Sequence, residues 1–258
     1  MKGVVLAGGL GTRLLPMTRV TNKHLLPVFD RPMIYYPIQQ LTAAGIDDIL
    51  VVTGVDHAED FLKALRNGED FGLDHIRYAY QEGEGGIAEA LALAEDFAGG
   101  EPIVVMLGDN LFEDPLAPVI HAFQRNPSGA MLLLKEVDDP DRFGVAVVEG
   151  DRVVNIVEKP SDPETNLAVT GCYMYDRRVF DVIRSLTPSE RNELEITDVN
   201  NQYIAWQEIR HIKLNGWWTD AGTRASLHRA ANLVAASREN PVLNGEQVVS
   251  ELESSGGV

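Results

Sequence analysis

A glycine-rich segment that ends in an arginine follows the first apolar run of the chain. The residues after Ala7 are Gly8, Gly9, Leu10, Gly11, Thr12 and Arg13. Glycines let backbone N–H groups approach phosphate oxygens closely, and Arg13 and Lys23 add positive charge. The segment lacks the Lys-Ser or Lys-Thr pair of a P-loop, and Leu14 replaces the third glycine of a dinucleotide-binding loop. The pattern therefore predicts a triphosphate site, with a tight strand-to-helix turn as the alternative.

Two aspartates stand where predicted strands end. Asp109 follows an apolar run at residues 102–107, and Asp220 follows a Trp-Trp-Thr segment. An aspartate at such a position can form a turn, and Asp220 could also begin a helix. Mg²⁺ prefers oxygen ligands and usually takes only one or two carboxylates, so the pair could also hold this ion. The two residues alone leave the turn and the metal site open.

These candidate residues lie among strands that alternate with helices. Continuous apolar runs predict buried strands at residues 4–7, 49–53 and 102–107, and we predict further strands at 76–80 and 130–135. Helical spacing predicts helices at residues 32–44, 58–65, 87–97 and 118–124. Repeated βα units form a doubly wound, mostly parallel sheet, and ligands bind at the carboxyl ends of its strands. We therefore expect residues 1–135 to form a nucleotide-binding half.

The pattern changes after residue 136 to a mixed α/β half. We predict a hairpin at 144–148 and 152–157, further strands at 168–175, 209–214 and 217–220, and helices at 179–186, 196–206 and 224–237. No linker rich in proline, glycine or serine separates the halves, so we expect one domain over residues 1–240. Residues 241–258 are polar, and we expect a frayed tail there.

The charge and the cysteine count limit the partners and the compartment. The 258 residues include 22 Lys and Arg against 39 Asp and Glu, a net charge of −17 at pH 7. This deficit of positive charge argues against nucleic acid and against anionic membranes as partners. No apolar run approaches the ~20 residues of a membrane span. The single cysteine, Cys172, excludes an internal disulfide, and we expect an inert core thiol in a cytoplasmic protein.

Several ordered motifs resemble one enzyme family. Residues 6–13, followed by Asn-Lys-His-Leu-Leu-Pro-Val at 22–28, resemble the signature of sugar-1-phosphate nucleotidylyltransferases. Segments similar to the glucose-1-phosphate thymidylyltransferase branch lie at 30–37, 107–110, 143–145, 158–160, 169–171, 193–198 and 218–223. The resemblance implies a Rossmann-like nucleotidyltransferase fold in which residues 136–240 bind the sugar. It also implies that dTTP and glucose-1-phosphate react, with Mg²⁺, to give dTDP-glucose and pyrophosphate.

The resemblance also implies roles for individual residues. It gives catalysis to Arg13, Lys159, Asp109 and Asp220, of which the two aspartates hold Mg²⁺. The nucleotide-binding residues that it implies are Leu6, Gly8, Gly9, Gly11, Thr12, Arg13, Lys23, Gln81, Gly86 and Asp109. The residues that it implies for the sugar phosphate are Gly144, Glu158, Lys159, Val169, Arg191 and Trp218.

For four of the side chains near these motifs, a purely structural role stays open as the alternative to a functional one. Lys159 could form a surface ion pair with its neighbour Glu158, which would contribute little to stability. Arg191 could be a solvated arginine at a helix start, and Trp218 could be a core aromatic rather than a wall beside the sugar. His24 has no evident acid–base partner, so we expect a solvated structural side chain.

The segment expected to recognise the base departs from the family pattern. Gln81 offers a donor and an acceptor to a pyrimidine edge, and Gly86 leaves room for the base. The family usually has Gln-Pro-Ser-Pro-Asp-Gly-Leu-Ala-Gln-Ala, whereas residues 81–90 here read Gln-Glu-Gly-Glu-Gly-Gly-Ile-Ala-Glu-Ala. The alternative function is therefore the same transfer from UTP, or to another sugar-1-phosphate. Two other classes compete with a transferase. The metal carboxylates argue against a non-catalytic nucleotide-sugar sensor, and the missing third glycine argues against an NAD-dependent oxidoreductase.

The resemblance implies two further properties of the whole protein. The resembled enzymes are homo-oligomers, so we expect a homodimer or homotetramer here. They carry a regulatory nucleotide site in longer carboxyl-terminal helices, so we expect that feedback site to be absent or altered.

Overall fold

Parallel strands that alternate with helices form the first half of the molecule. The computed structural model describes residues 1–239, and the tail predicted at 241–258 lies outside them. In chain order the elements of this half are β1 (Lys2–Ala7), β2 (Pro27–Val28), β3 (Arg31–Pro32), α1 (Tyr35–Ala43), β4 (Ile49–Gly54), α2 (Ala58–Leu65), β5 (Ile76–Gln81), α3 (Ile87–Ala92), α4 (Glu95–Ala98), β6 (Ile103–Leu107), β7 (Asn110–Phe112), α5 (Ala117–Arg125) and β8 (Ala130–Glu136).

The second half adds antiparallel strands to the same sheet. Its elements are β9 (Gly144–Glu149), β10 (Arg152–Glu158), β11 (Leu167–Tyr175), α6 (Val179–Ser185), α7 (Ile196–Ala205), β12 (Ile209–Lys213), β13 (Trp218–Asp220) and α8 (Arg224–Glu239). Strands β6, β1, β4 and β5 are parallel neighbours, and β11 runs antiparallel to β6. On its other side β11 pairs with β8, which is followed by β12, while the β9–β10 hairpin pairs with the start of β11. The predicted α/β fold class, a doubly wound and mostly parallel sheet, is confirmed.

Helices cover both faces of this sheet because its strands are apolar on both sides. In β1, Val4 and Leu6 join the core under α3, α4, α6 and α7, whereas Val5 and Ala7 join the core under α1, α2 and α5. This alternation explains why a strand buried on both faces reads as a continuous apolar run. Burial of each large apolar side chain contributes about 1.5–3 kcal/mol to folding. Helix α8 closes a third, smaller core with Met33, Leu111 and Ala221.

Apart from shifts of one or two residues at element ends, two predicted helices differ from the structure. The helix predicted at 87–97 is divided into α3 and α4, because Ala94 N–H bonds to Leu91, three residues back, and tightens the turn. The helix predicted from Pro32 begins at Tyr35, because Pro32 pairs with Pro27 in the β2–β3 ribbon. Asn110 follows the turn that holds Asp109 and belongs to the short strand β7, where it pairs with Asp220 of β13.

The division of the chain into a nucleotide half and a sugar half stays a prediction.

Among residues 1–239, no helix has the length and apolar character that crossing a membrane requires.

Candidate active site

A cleft opens where the parallel strands end, and most predicted site residues line it. Its volume is about 310 Å³, and β1, β5 and β6 all end at its rim. The predicted residues that line it are Leu6, Gly8, Gly9, Arg13, Lys23, Gln81, Gly86, Asp109, Gly144, Glu158, Lys159, Val169, Trp218 and Asp220. Carboxyl ends of neighbouring parallel strands meet at one edge, which is why motifs far apart in sequence converge here.

Three predicted residues lie outside the lining of the cleft. Gly11 has a left-handed backbone with φ of 62°, and a Cβ there would lie 2.9 Å from Thr18 Cγ2. Gly11 therefore shapes the loop, while Thr12 begins the short helical turn that carries Arg13. Arg191 is turned to the carboxylates of its neighbours, and its Nη2 lies 2.7 Å from Glu195 Oε2.

Asp109 is a buried carboxylate that is held ionised by its neighbours. It is 9% exposed, its Oδ2 lies 2.5 Å from Lys23 Nζ, and its Oδ1 accepts from Asn110 Nδ2 at 3.0 Å. Burial acts to raise the pKa of Asp109, but the Lys23 charge and the hydrogen bonds outweigh it, so the pKa lies below its ordinary value. Asp109 is thus an anion in a largely dry environment.

Asp220 faces Asp109 and is balanced by Arg142. The Arg142 Nη2 lies 2.9 Å from Asp220 Oδ1 and 3.0 Å from Oδ2, while its Nη1 bonds to Asp139 at 2.6 Å. Burial and the nearby charge of Asp109 raise the pKa of Asp220, and Arg142 opposes them. The Asp109 charge acts in the same direction as burial because two like charges at close range repel each other.

Arg13, Asp109 and Asp220 meet around Gly222. A Cβ at Gly222 would lie 3.2 Å from Asp220 Oδ2, 3.3 Å from Arg13 Nη2 and 3.6 Å from Asp109 Oδ2. Any side chain would fill this space, so glycine keeps it open between two carboxylate oxygens and a guanidinium. Two carboxylates suit Mg²⁺, which takes its remaining oxygens from phosphate and water. Within residues 1–239, no cluster of three or more His, Cys, Asp or Glu forms a closed metal site.

A second charged group lies around Glu158 at the end of β10. Its Oε2 accepts from Thr197 Oγ1 at 2.6 Å, and its Oε1 lies 3.2 Å from Lys159 Nζ and 3.3 Å from Arg191 Nη2. Lys159 has a left-handed backbone with φ of 43°, and Lys159 N–H donates to Phe143 O at 2.9 Å. The backbone turn therefore follows directly on β10, and Lys159 lines the cleft together with Gly144, where its ammonium can reach an anion.

The loop between β5 and α3 forms the wall beside the glycine-rich segment. Gln81 Nε2 donates to Glu89 Oε1 at 3.0 Å and to Gly86 O at 3.3 Å. Gly86 has φ of 97°, and a Cβ there would stand 2.5 Å from Leu194 O, so the position requires glycine. Glu84 reaches across the cleft, and its Oε1 accepts from Leu10 N at 3.0 Å.

Trp218 is both buried and part of the cleft wall. Its ring packs edge-on against Phe143 with centroids 5.0 Å apart, and its Nε1 donates to Asn110 Oδ1 at 2.7 Å. The same Asn110 oxygen accepts from Gly171 N at 2.8 Å. Trp218 is thus positioned by its own hydrogen bond.

Sequence reasoning missed the roles of Asn110 and Arg142, both of which line the cleft. Each lies beside a motif residue, Asn110 after Asp109 and Arg142 before Phe143. That adjacency is the one signal that could have indicated them.

His24 and Cys172 are both buried, one against expectation and one as predicted. The prediction of a solvated His24 was wrong, because its side chain is 2% exposed and its Nδ1 lies 2.8 Å from Asn22 Oδ1. Burial, together with the Lys23 charge, lowers the pKa of His24 to about 3, so the ring is neutral. The prediction of an inert core thiol is confirmed, since burial raises the pKa of Cys172 to about 12.

Comparison with known proteins agrees with this geometry. The family model described as "Nucleotidyl transferase" matches residues 2–237. The chain belongs to the nucleotidyl transferase family. A relative of this nucleotidyl transferase in Neisseria meningitidis, named glucose-1-phosphate thymidylyltransferase, is 43% identical over 238 residues, which are 91% of this chain and 82% of the relative.

Two solved structures resemble the nucleotidyl transferase over most of its length. One, from Bacillus anthracis and bound to sucrose, is described provisionally as a glucose-1-phosphate thymidylyltransferase, with 47% identity and a TM-score of 0.87 over 96% of this chain and 98% of that one. The other is a UDP-glucose pyrophosphorylase bound to UDP-glucose, with 26% identity and a TM-score of 0.79 over 92% of this chain and 99% of that one. The chain therefore shares its fold and family with proteins that are named as enzymes of nucleotide-sugar synthesis.

Proposed function

We propose that this nucleotidyl transferase transfers a thymidylyl group from dTTP to glucose-1-phosphate and forms dTDP-glucose and pyrophosphate. The observation that carries the proposal is the meeting of Arg13, Asp109 and Asp220 around Gly222, in a cleft that Lys159 also lines. The names of relatives that are 43% and 47% identical support thymidine as the nucleoside and glucose as the sugar.

The chemistry is an in-line displacement at the α-phosphorus without a covalent enzyme intermediate. A phosphate oxygen of glucose-1-phosphate attacks, the α–β phosphoanhydride bond breaks, and pyrophosphate leaves. The sugar phosphate is already ionised at neutral pH, so no general base is needed. Catalysis then consists of positioning the two reactants and offsetting the charge between them.

The cations of the cleft divide this task between two regions. Arg13 and Lys23 lie beside the glycine-rich segment, where they stabilise the triphosphate and the charge on the leaving pyrophosphate. Lys159 holds the phosphate of the sugar. Glu158 accepts hydrogen bonds from sugar hydroxyls, and the backbone at Val169 forms further hydrogen bonds with them. Gly144 leaves room for the sugar ring beside Lys159, and Trp218 forms one wall.

Asp109 and Asp220 are the residues that would hold Mg²⁺. A bound Mg²⁺ would supply positive charge here that offsets the repulsion between two anionic reactants. Both carboxylates are oriented in advance by cations and hydrogen bonds, Asp109 by Lys23 and Asn110, and Asp220 by Arg142. Such partners keep each carboxylate in one conformation.

A second candidate is the same transfer from UTP. The observation that favours it is the likeness to a UDP-glucose pyrophosphorylase, which holds at 26% identity against 43% and 47% for the thymidylyl relatives. Residues 81–90 also depart from the usual family segment, so the choice between dTTP and UTP has to be measured.

Family analogy supports a homo-oligomeric enzyme, and the single cysteine supports a location in the cytoplasm. Size-exclusion chromatography would test the first, and cell fractionation would test the second.

The substitution Asp109→Asn tests the proposed role of the carboxylate pair. The amide keeps the shape of Asp109 but loses the charge, so we expect kcat/KM for dTDP-glucose synthesis to fall at least about 100-fold. Asp114→Asn is the matched control, since Asp114 is also a buried aspartate but accepts from Gly216 N away from the cleft. Thermal unfolding of both variants checks the fold, and Mg²⁺-dependent turnover near the wild-type rate in Asp109→Asn would contradict the proposal.

A further inference from the structure

The side-chain amide of Gln81 has only one orientation that its neighbours accept. Gln81 is 6% exposed, and its Nε2 donates to Glu89 Oε1 and to Gly86 O. An amide nitrogen has two hydrogens, and a carboxylate and a carbonyl can only accept. A flipped amide would place its oxygen against both acceptors and lose both hydrogen bonds. The Oε1 of Gln81 therefore points the other way, toward Gly8, where a Cβ would stand 2.8 Å from it.

Glu89 reaches Gln81 only because residue 85 is glycine. A Cβ at Gly85 would overlap the Glu89 carboxylate, whereas Gly83 in the same loop has open space around it. Gly85 is also fixed from the other side, since its carbonyl accepts from Leu194 N at 2.7 Å. Gly85 and Glu89 thus form one unit, in which the missing side chain makes room for the carboxylate.

We propose that Glu89 is a positioning residue that restricts the nucleobase through Gln81. With both amide hydrogens engaged, Gln81 presents only its carbonyl oxygen to the cleft. This oxygen accepts a hydrogen bond from the ring N–H of a pyrimidine-2,4-dione such as thymine or uracil. Cytosine has an acceptor nitrogen at the same position, so it would leave the buried oxygen unpaired.

The charge of Glu89 matters for the strength of this restriction. A hydrogen bond to an ionised acceptor is roughly twice as strong as one between neutral groups, so Glu89 opposes the amide flip more firmly than a neutral side chain. A glutamine at position 89 could still accept through its amide oxygen, but it could also donate to a flipped Gln81. The inference rests on the proposed function, because it assumes that the base of a nucleoside triphosphate lies beside Gln81.

The test measures base selectivity as a ratio of dissociation constants. Calorimetric titration gives Kd for dTTP and for dCTP in the wild type, Glu89→Ala, Glu89→Gln and the control Glu82→Gln, which alters an exposed carboxylate of the same loop. We expect wild type and control to prefer dTTP, Glu89→Ala to lose about tenfold of this preference, and Glu89→Gln to lie between them. Retained dCTP affinity in Glu89→Ala separates a positioning role from general damage to the loop.

Two results would overturn the inference. One is equal affinity of the wild type for dTTP and dCTP, and the other is an unchanged ratio in Glu89→Ala, whether or not both affinities fall. Turnover with glucose-1-phosphate is measured on the same samples and tests the proposed function separately. A wild type that selects dTTP through Glu89 but releases no pyrophosphate would contradict the proposed function and leave this inference supported.

Discussion

Every carboxylate that we place at the centre of the cleft already has a cation beside it. Asp109 lies 2.5 Å from Lys23, Asp220 lies 2.9 Å from Arg142, and Glu158 lies 3.2 Å from Lys159. Incoming phosphates must therefore compete with carboxylates for the same ammonium and guanidinium groups. In the proposed function, substrate binding is therefore an exchange of ion-pair partners. A carboxylate that already accepts from a backbone N–H of the glycine-rich segment would compete with the triphosphate directly.

Glu84 is such a side chain, because its carboxylate accepts from Leu10 N in the glycine-rich segment. A triphosphate oxygen bound there would have to displace it. We predict that Glu84→Gln lowers KM for dTTP about three- to fivefold and changes kcat little, since one hydrogen bond with a charged competitor becomes a weaker one. Steady-state kinetics measures this effect, with Glu82→Gln as the control. An unchanged or higher KM in Glu84→Gln would show that the carboxylate does not compete.

Single residues were predictable from sequence where they sit in a motif. Asp109 and Lys159 lie in short, ordered segments whose residue types suit phosphate chemistry, and both line the cleft. The pairing of Arg142 with Asp220 could not be predicted, because the two residues are 78 positions apart and only the folded chain brings them together. The burial of His24 was missed for the same reason, since its neighbours come from distant strands.

At the scale of elements, the loop between β5 and α3 is anchored to the segment before α7. Leu194 N donates to Gly85 O at 2.7 Å, and Ala88 N donates to Leu194 O at 3.1 Å. This loop is therefore tied to the side of the cleft that carries Thr197 and Glu158. Gly86 is the residue that permits this close approach.

Two glycine substitutions separate backbone strain from close packing in this loop. Gly83 and Gly86 both have positive φ, 83° and 97°, but an added Cβ would meet neighbouring backbone atoms only at Gly86, since the space around Gly83 is open. We predict that Gly83→Ala lowers the free energy of unfolding by about 1 kcal/mol, from strain alone. Gly86→Ala adds a clash with Leu194 O and should cost more than about 2 kcal/mol. Urea unfolding measures both, and equal losses would contradict the anchoring role of Gly86.

Long elements were predictable, whereas of the two short strands in the β7–β13 ribbon only β13 was predicted, at residues 217–220. Strands β1, β4 and β6 are buried on both faces, so continuous apolar runs indicated them. The β7–β13 ribbon has three residues in each strand, too few to show a period of two, and it pairs Asn110 with Asp220 across 110 positions. The ribbon brings Asp109, the residue before β7, next to the end of β13, where Ala221 N donates to Asp109 O at 2.8 Å, and the sequence alone does not show this pairing.

At the scale of the whole molecule, the net charge of −17 is compatible with the proposed binding of phosphates in the cleft. The cations Arg13, Lys23, Arg142 and Lys159 come from separate parts of the chain and line one cleft. Much of the acidic surplus lies in exposed positions elsewhere, for example at Glu59, Glu69 and Asp181. The charge balance alone argued against nucleic-acid partners, but only the fold shows that positive groups collect at the strand ends.

The most direct test of the proposed transfer is product formation from glucose-1-phosphate with each of five nucleoside triphosphates, dTTP, UTP, ATP, GTP and CTP, in the presence of Mg²⁺. Pyrophosphate release and chromatographic detection of the nucleotide sugar report the reaction. We predict dTDP-glucose as the product with the highest kcat/KM, with UTP second because uracil carries the same ring N–H as thymine. Preference for ATP, GTP or CTP, or no pyrophosphate release with dTTP, would contradict the account.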